Sequence, residues 1–494
     1  MVTNILEYLY DTAARVPDKL AFSDGVCSLS FAALAERTES VAAYLISKGR
    51  VSGPVGVFMD RSVNEIAVFL GTVRAGCVYV PMDAEMGAER LRGITERMRL
   101  GCLIADEGNL PAARALTGAD VFPANEALAF EKTSLPPLSG SDTDPFYTVF
   151  TSGSTGAPKG VCGCHRAVID YAEHMLPAVG IGEDAVMGCQ APLYFDACFK
   201  ELLACLCKGA SVYLVPRPLF SQPLELIAFL NRNRINTVCW VSSALSLVAA
   251  LKTFKYVRPE YLKTVCFGSE VLPAKHLNYW MEACPGARFY NLYGPTECTG
   301  MSCVYPVPGP VREGEKIPVG RPFQNTRLYL IDAEGHEARE GEVYIGGSCV
   351  TLGYYNDPER TAEAFVQNPL QHDYADRVYR TGDLAAYNEN GDLVFLGRAD
   401  QQIKHMGHRI ELGEIESAAA SVPGVEQCVC LLEKKQGMLL LLYTGGAEKD
   451  AVLAALRERL PVFACPQRLE RLERMPVTPN GKTDRRRLKE QYGG

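Results

Sequence analysis

The sequence predicts an α/β protein in two parts. A large N-terminal domain, residues 1–399, holds stacked β-sheets covered by helices and carries a small β subdomain; a small α+β domain, residues 400–494, follows. Three observations lead there. The chain has 494 residues, too many for one compact core, since domains usually run about 100–200 residues. Its first half alternates helix-period segments with short β-rich runs, the mark of parallel sheets covered by helices. The pattern then changes twice, to short strands with glycine turns around residues 317–347 and again near residue 400.

Element by element, Asn4-Ile-Leu-Glu-Tyr-Leu9 opens an amphipathic helix. Leu34 to Ile46 repeats apolar residues at helical spacing, with Leu34, Val41, Leu45 and Ile46 on or near one face. Val55 to Met59 reads as a strand, Ile66 to Val73 as a helix, and Val78 to Val80 as a strand that Pro81 stops. Ser134 to Pro145 is polar and proline-containing, a surface connection. Phe146 to Phe150 is a strand running directly into a glycine-rich loop. Arg327 to Ile331 and Glu342 to Ile345 build the β subdomain, and Asp392 to Gly397 is the last strand before the boundary. Beyond it come Gln402-Ile-Lys404, a charged helix start at Glu411 to Ala420, and a buried strand over Leu439 to Tyr443.

Composition narrows the function classes. Hydrophobic residues make up 47% of the chain and charged residues 22%, a globular balance that argues against bulk disorder. The net charge of −8, from 50 basic and 58 acidic residues, argues against a nucleic-acid binder. The one basic run, Arg485-Arg486-Arg487, reads as a solvated helix face. No apolar run reaches the roughly 18–20 residues of a membrane helix, and the N-terminus lacks the layout of a signal peptide. The expected location is therefore cytoplasmic, without membrane insertion. Of the 18 cysteines, Cys162-Gly-Cys164-His165 and Cys428-Val-Cys430 lack the spacing and second half of a zinc site. Cys189, Cys205, Cys239 and Cys266 sit in apolar stretches as small hydrophobes, so reduced structural thiols are expected.

Thr151-Ser-Gly-Ser-Thr-Gly-Ala-Pro-Lys-Gly160 is the most informative segment. Gly153, Gly156 and Gly160 let the backbone approach a ligand closely, and backbone N–H groups in such a loop form an anion-binding concavity. Thr151, Ser152, Ser154 and Thr155 add hydroxyl donors, and Lys159 adds a positive charge; together they suit a polyphosphate. The loop is not a Walker sequence, because Pro158 precedes the lysine.

This decapeptide resembles the signature of the adenylate-forming superfamily, which includes acyl-CoA synthetases, firefly luciferase and the adenylation domains of nonribosomal peptide synthetases. The resemblance continues in the family's order along nearly the whole chain. It runs through Arg74-Ala-Gly-Cys-Val-Tyr-Val-Pro81, Asn291-Leu-Tyr-Gly-Pro-Thr-Glu297, Gly341-Glu-Val-Tyr-Ile-Gly-Gly347 and Tyr379-Arg-Thr-Gly-Asp-Leu384. It ends with Gly397-Arg-Ala-Asp400, Arg409-Ile-Glu-Leu-Gly-Glu-Ile-Glu416 and Asn480-Gly-Lys-Thr-Asp484. The small domain is then a mobile lid.

The resemblance implies ATP and Mg²⁺ as cofactors, and adenylation by attack of a carboxylate on the α-phosphorus of ATP. Both reactants are anions, so the site must supply cations and donors where charge accumulates. By resemblance Glu297 holds Mg²⁺, Thr296 contacts phosphate, Tyr293 stacks on adenine, and Asn291 and Gly294 belong to the adenine segment. Asp383 takes the ribose hydroxyls and Arg398 makes a second ribose or phosphate contact. Lys482 is the catalytic lysine, acting with Lys159, Thr155 and Glu297. Asp400 is the hinge about which the lid turns between adenylation and thioester formation.

Phe195-Asp196-Ala197-Cys198 resembles the amino-acid branch, where the aspartate binds the substrate α-ammonium. The family's side-chain pocket maps to Ala197, Lys200, Trp240, Cys266, Gly268, Leu292, Gly300 and Met301. Lys200 suits an acidic side chain; Trp240 and Met301 instead leave room for a small one. Cys198 stands where the family usually has serine, and Leu460-Pro-Val-Phe-Ala-Cys-Pro466 keeps its pattern only in part. No carrier segment follows Asn480-Gly-Lys482, so a separate phosphopantetheinylated carrier protein is the expected acceptor, as for a stand-alone carrier-protein ligase. An acyl- or aryl-CoA ligase and a non-catalytic nucleotide-binding protein are the alternatives.

Overall fold

The computed structural model describes residues 2–116, 118–131, 134–138, 140–151, 158–399, 402–433, 437–476 and 483–493. Ser152, Gly153, Ser154, Thr155, Gly156, Asp400 and Lys482 lie outside the described residues.

Two large sheets carry the first three quarters of the chain. One has seven strands, in the order Gly353–Tyr354, Lys159–Cys164, Pro145–Thr151, Val78–Met82, Pro54–Phe58, Cys102–Ala105 and Asp120–Pro123. The other has nine; its centre is the parallel run Arg288–Tyr293, Thr264–Gly268, Thr237–Val241, Val186–Cys189 and Ser211–Leu214. Helices fill the space between, as alternating periods of 3.6 and 2 require. Phe31–Ser47 and Val63–Arg74 pack on each other, and each starts on a serine side chain: Ser30 accepts from Ala33 N, and Ser62 from Glu65 N.

Pro81 does not end its strand, which runs Val78–Met82. Pro81 pairs with Val57 on one side, but the other neighbour, Pro145–Thr151, is in register only at Tyr79. The missing N–H thus falls where no second ladder needs it. The β subdomain is a five-stranded antiparallel sheet holding Thr326–Ile331, Glu340–Gly347, Arg377–Tyr387, Phe365–Gln367 and Leu393–Arg398.

Beyond residue 401 the chain has its own core. The hydrophobic clusters of residues 5–395 share no member with those of residues 403–492. Strand Met438–Gly445 divides its apolar side chains by period two. Leu439, Leu441 and Tyr443 pack with Ile415 and Leu456 of two helices, while Leu440 and Leu442 meet Met475 and Leu488 on the other face. Arg485 is not on a solvated face: both its terminal nitrogens donate to Glu416, at 2.8 and 2.5 Å, tying the last helix to Leu412–Ala420.

A buried ion pair fastens this part to the large one. Arg90 donates to Glu414 at 2.8 Å with side-chain exposures of 4% and 3%. The hairpin of Gln402–His405 and His408–Glu411 reaches into the large part, where Gly407 N donates to Glu270 Oε1 at 2.8 Å.

Candidate active site

Ligands of open α/β sheets bind just beyond the carboxyl ends of the parallel strands. Here Val241 stands opposite Gly268, and Gly268 opposite Leu292, at those ends. A cavity of about 580 Å³ opens there, roofed by the 402–411 hairpin and by Phe463. Thr151, Gly294 and Thr296 line it on the side of the glycine-rich loop, whose ends are pinned by pairing of Thr151 with Lys159. The Thr151 hydroxyl is buried without a partner. Gly294 is required sterically, since a Cβ there would lie 2.5 Å from Ser302 N and 2.6 Å from Gly300 O.

In the cavity lining, Asp383 and Arg398 are direct cross-strand partners, so adjacent antiparallel strands bring two separated sequence segments together. Arg398 donates to Asp383 Oδ1 at 2.6 Å, and the Tyr293 hydroxyl donates to Oδ2 at 2.5 Å. The Lys404 ammonium lies 5.6 Å from the Tyr293 ring centroid, so the hairpin covers the aromatic face assigned to adenine. Burial pushes Lys404 below its ordinary pKa, against the pull of Asp383. Asn291 donates its side-chain N–H to Pro318 O at 2.8 Å and holds the strand end rather than lining the cavity.

Behind Thr296, the Glu297 side chain is completely buried. Its Oε1 accepts from the Tyr354 hydroxyl at 2.8 Å and its Oε2 from Arg409 at 2.7 Å. Burial opposes the charge, but Arg409 and then Lys159 outweigh it and hold the carboxyl down at about 2. Lys159 is buried too, 3.7 Å from Glu411 and 5.5 Å from the Tyr354 ring centroid, and burial lowers its pKa. A divalent cation needs hard oxygen ligands. Glu297 supplies one anionic carboxylate; among the described residues no group of three acidic, histidine or cysteine side chains could complete a site. The remaining ligands would therefore be phosphate and water oxygens, and Arg409 would have to leave Oε2. With that exchange the residues fit a Mg²⁺ ion carried on a nucleotide.

Phe195, Asp196, Gly300 and Met301 line the same cavity. Asp196 is 9% exposed, and burial pushes its pKa up against a hydrogen bond from Thr296 and the charge of Lys200. Gly300 adopts φ +90°, a left-handed conformation suited to glycine, and a Cβ there would come 3.7 Å from the Asp196 carboxylate. Adjoining it, and sharing Ala197 and Met301, is a second cavity of about 10 Å³, room for roughly one water molecule. The structure brings Ala197, Lys200, Trp240, Cys266, Gly268, Leu292 and Met301 together around it, whereas Gly300 faces the larger space. Lys200 does not snorkel outward: it is 5% exposed and its ammonium donates to Ala197 O at 2.6 Å. The Trp240 indole N–H is tied to Gly188 O at 2.7 Å.

Sequence reading assigned no role to Lys404, His408, Arg409, Glu411 or Tyr354. The run Arg409–Glu416 carried a signal, but nothing in its spacing says that Arg409 meets a carboxylate 112 residues earlier. The cysteines agree with structural thiols: all 18 are free, and only Cys27, Cys207 and Cys428 are partly exposed. Among the described residues no helix is long and apolar enough to cross a membrane.

The sequence model described as AMP-binding enzyme matches residues 9–355, and that described as AMP-binding enzyme C-terminal domain matches residues 414–482. Tyrocidine synthase 2 of Brevibacillus parabrevis is 33% identical over 493 residues, covering 97% of this chain and 14% of that protein. The chain likewise spans 6% and 9% of subunits C and D of linear gramicidin synthase from the same organism. L-proline--[L-prolyl-carrier protein] ligase of Streptomyces coelicolor is 32% identical over 517 residues, covering 97% of this chain and 94% of that protein. A solved structure of an NRPS protein containing adenylation and PCP domains, bound to a vinylsulfonamide inhibitor, superposes with a TM-score of 0.86. It is 26% identical and covers 99% of this chain and 84% of that one.

Proposed function

This chain belongs to the family of AMP-binding enzymes, and on that premise we propose that it activates an amino acid with ATP and passes it to a carrier thiol. The carboxylate is adenylated, pyrophosphate leaves, and the aminoacyl group moves to the phosphopantetheine of a separate carrier protein. The observation that carries this reading is the presence of two buried carboxylates in the lining of one cavity: Asp383, held by Tyr293 and Arg398, and Asp196. A buried acid with a raised pKa is satisfied by a cation, and the α-ammonium of an amino acid is such a partner.

In the proposed reaction Asp196 orients the amino acid. Thr151, Thr296 and the loop around Lys159 hold phosphate through hydroxyl, backbone N–H and ammonium groups. Asp383 and Arg398 hold the ribose. Lys482 neutralises charge where the carboxylate meets the α-phosphorus. Glu297 would hold Mg²⁺, which supplies charge neutralisation on the phosphates. The boundary lies at Asp400, about which residues 400–494 turn as a lid.

For the side chain, the buried Lys200 ammonium supports an acidic group, while the cavity of about 10 Å³ beside it supports a small one. The Lys200 ammonium is buried beside the small cavity with one backbone acceptor, although an ammonium has three donors. A substrate carboxylate satisfies the remainder. The test is ATP–pyrophosphate exchange across D- and L-amino acids, for the unaltered chain and for Lys200→Met. Exchange on an acidic amino acid that Lys200→Met abolishes supports the reading; an unaltered preference removes it. Turnover on carboxylic acids without an amino group, with CoA as acceptor, would overturn the amino-acid assignment.

A further inference from the structure

The 402–411 hairpin carries into the cavity an imidazole for which adenylation has no use. His408 lines the cavity, stacked on Phe463 with ring centroids 3.7 Å apart and planes 6° from parallel. Its ring centroid is 5.2 Å from that of Phe195. The imidazole is thus wedged in one orientation between aromatic rings from both parts of the chain. Its Nδ1 is covered from solvent yet meets no hydrogen-bond partner. Buried polar atoms without partners are few in folded proteins, and each calls for a reason.

Phe195 directly precedes Asp196. On the reading proposed above, Asp196 holds the α-ammonium, and the acyl carbon of the adenylate is one carbon away from the carbon bearing it. His408, which packs on Phe195, and Asp196 line the same cavity, so the acyl carbon held through Asp196 shares that space with the imidazole. We propose that His408 accepts the proton of the acceptor thiol as its sulfur attacks the aminoacyl-adenylate. The C–S bond forms while the S–H proton passes to the imidazole. The acyl C–O bond to phosphate then breaks, AMP leaves with the electron pair, and the imidazolium returns its proton to water.

The surroundings support this use. The carboxylates lining the cavity have other duties: Asp196 to the ammonium, Asp383 to Tyr293 and Arg398, and Glu85 to Arg217. The charged groups facing His408 are His405 on its own hairpin and Arg217, which also pairs with Asp83. Burial, then His405 and Arg217, push His408 down to about 4, so the ring is neutral across the physiological range and has a lone pair to offer. The adenylate phosphate adds a negative charge that counters this depression once the intermediate is bound.

The test rests on the proposed amino-acid activation and is arranged to separate the two. The adenylate is formed on the whole chain from ATP and the amino acid giving the strongest exchange. Pantetheine is then added as the thiol, and single-turnover thioester formation is followed from about pH 6 to 9. His408→Phe keeps the ring against Phe463 and removes the acceptor. It should slow thioester formation by about 10²-fold near neutrality, with the rate recovering as the thiol ionises at higher pH. His408→Ala should be slowed likewise, and added imidazole should restore it. A His408→Phe enzyme within about twofold of the unaltered chain, a loss equal at every pH, or no rescue of His408→Ala would overturn the proposal. Absence of exchange on any amino acid by the unaltered chain removes the underlying reading as well. Exchange with normal thioester formation in His408→Phe removes this proposal alone.

Discussion

Replacing Asp196 by Asn tests the amino-acid reading most directly. The carboxylate is 9% exposed and burial raises its pKa, so a facing cation favours its charged form. Thr296 and Lys200 offer part of that compensation; the substrate ammonium offers the rest. Removing one member of a buried, hydrogen-bonded charge pair costs about 2–4 kcal/mol. At about 1.4 kcal/mol per tenfold, Asp196→Asn should raise the amino-acid KM in pyrophosphate exchange by about 30- to 700-fold. The KM for ATP should move little, because Asp383 is held by Arg398 and Tyr293 independently of Asp196. A matched carboxylic acid lacking the amino group gives the second arm. The unaltered chain should discriminate against it by the same factor, and Asp196→Asn should erase the discrimination. The pH dependence has a definite sign: protonation of Asp196 removes its charge, so amino-acid affinity should fall as pH drops toward its raised pKa. Asp196→Asn should lack that limb. Full discrimination retained by Asp196→Asn would refute the assignment.

Three further outcomes follow, two from the geometry and one from the family resemblance. Glu297→Gln removes the carboxylate to which Arg409 donates, leaving Lys159 with Glu411, and should lower pyrophosphate exchange by about 10²-fold or more; near-normal exchange would remove Glu297 from the site. Because its folded pKa of about 2 lies below 4.5, the Glu297 charge contributes about 3 kcal/mol that is present above pH 4.5 and lost as pH falls toward 2. Glu201 has the opposite sign. It is buried with both oxygens unpartnered, and burial raises it to about 7, so it reduces stability as pH rises from 4.5 through 7. Glu201→Met should therefore stabilise more at pH 8 than at pH 4.5, by about 3 kcal/mol in denaturant unfolding; a pH-independent difference would contradict the buried, unpaired carboxyl. Lys482→Ala should lower the adenylation half-reaction by about 10²–10³-fold, measured as pyrophosphate exchange, and unchanged exchange would remove its assigned role.

Much of the fold was legible in the chain because periodicity is a local property. The helices Phe31–Ser47 and Val63–Arg74 and the strand Met438–Gly445 lie within a few residues of where apolar spacing places them. Pro81 misleads for a physical reason: proline interrupts a ladder only where its N–H is needed, and that depends on the neighbouring strand. Arg485 misleads in the same way, since its charge looks solvated until Glu416 arrives from an earlier helix.

The same division applies to the phosphate loop and the two carboxylates. Thr151–Gly160 declares its chemistry locally, because glycine, hydroxyl and lysine suit an anion wherever the loop sits. Asp196, in a short helical turn, and Asp383, on strand Arg377–Tyr387, came to line one cavity only through the packing of the elements that carry them. That Glu297 answers to Arg409 and that Lys404 covers Tyr293 depend on how residues 402–411 dock against the large part. So does the position of His408 beside Phe195. Electrostatic and aromatic contacts act over a few ångströms in space, and the chain separations they bridge are set by packing; residue types and spacing therefore determine which chemistry is possible, and tertiary structure decides which groups meet to perform it.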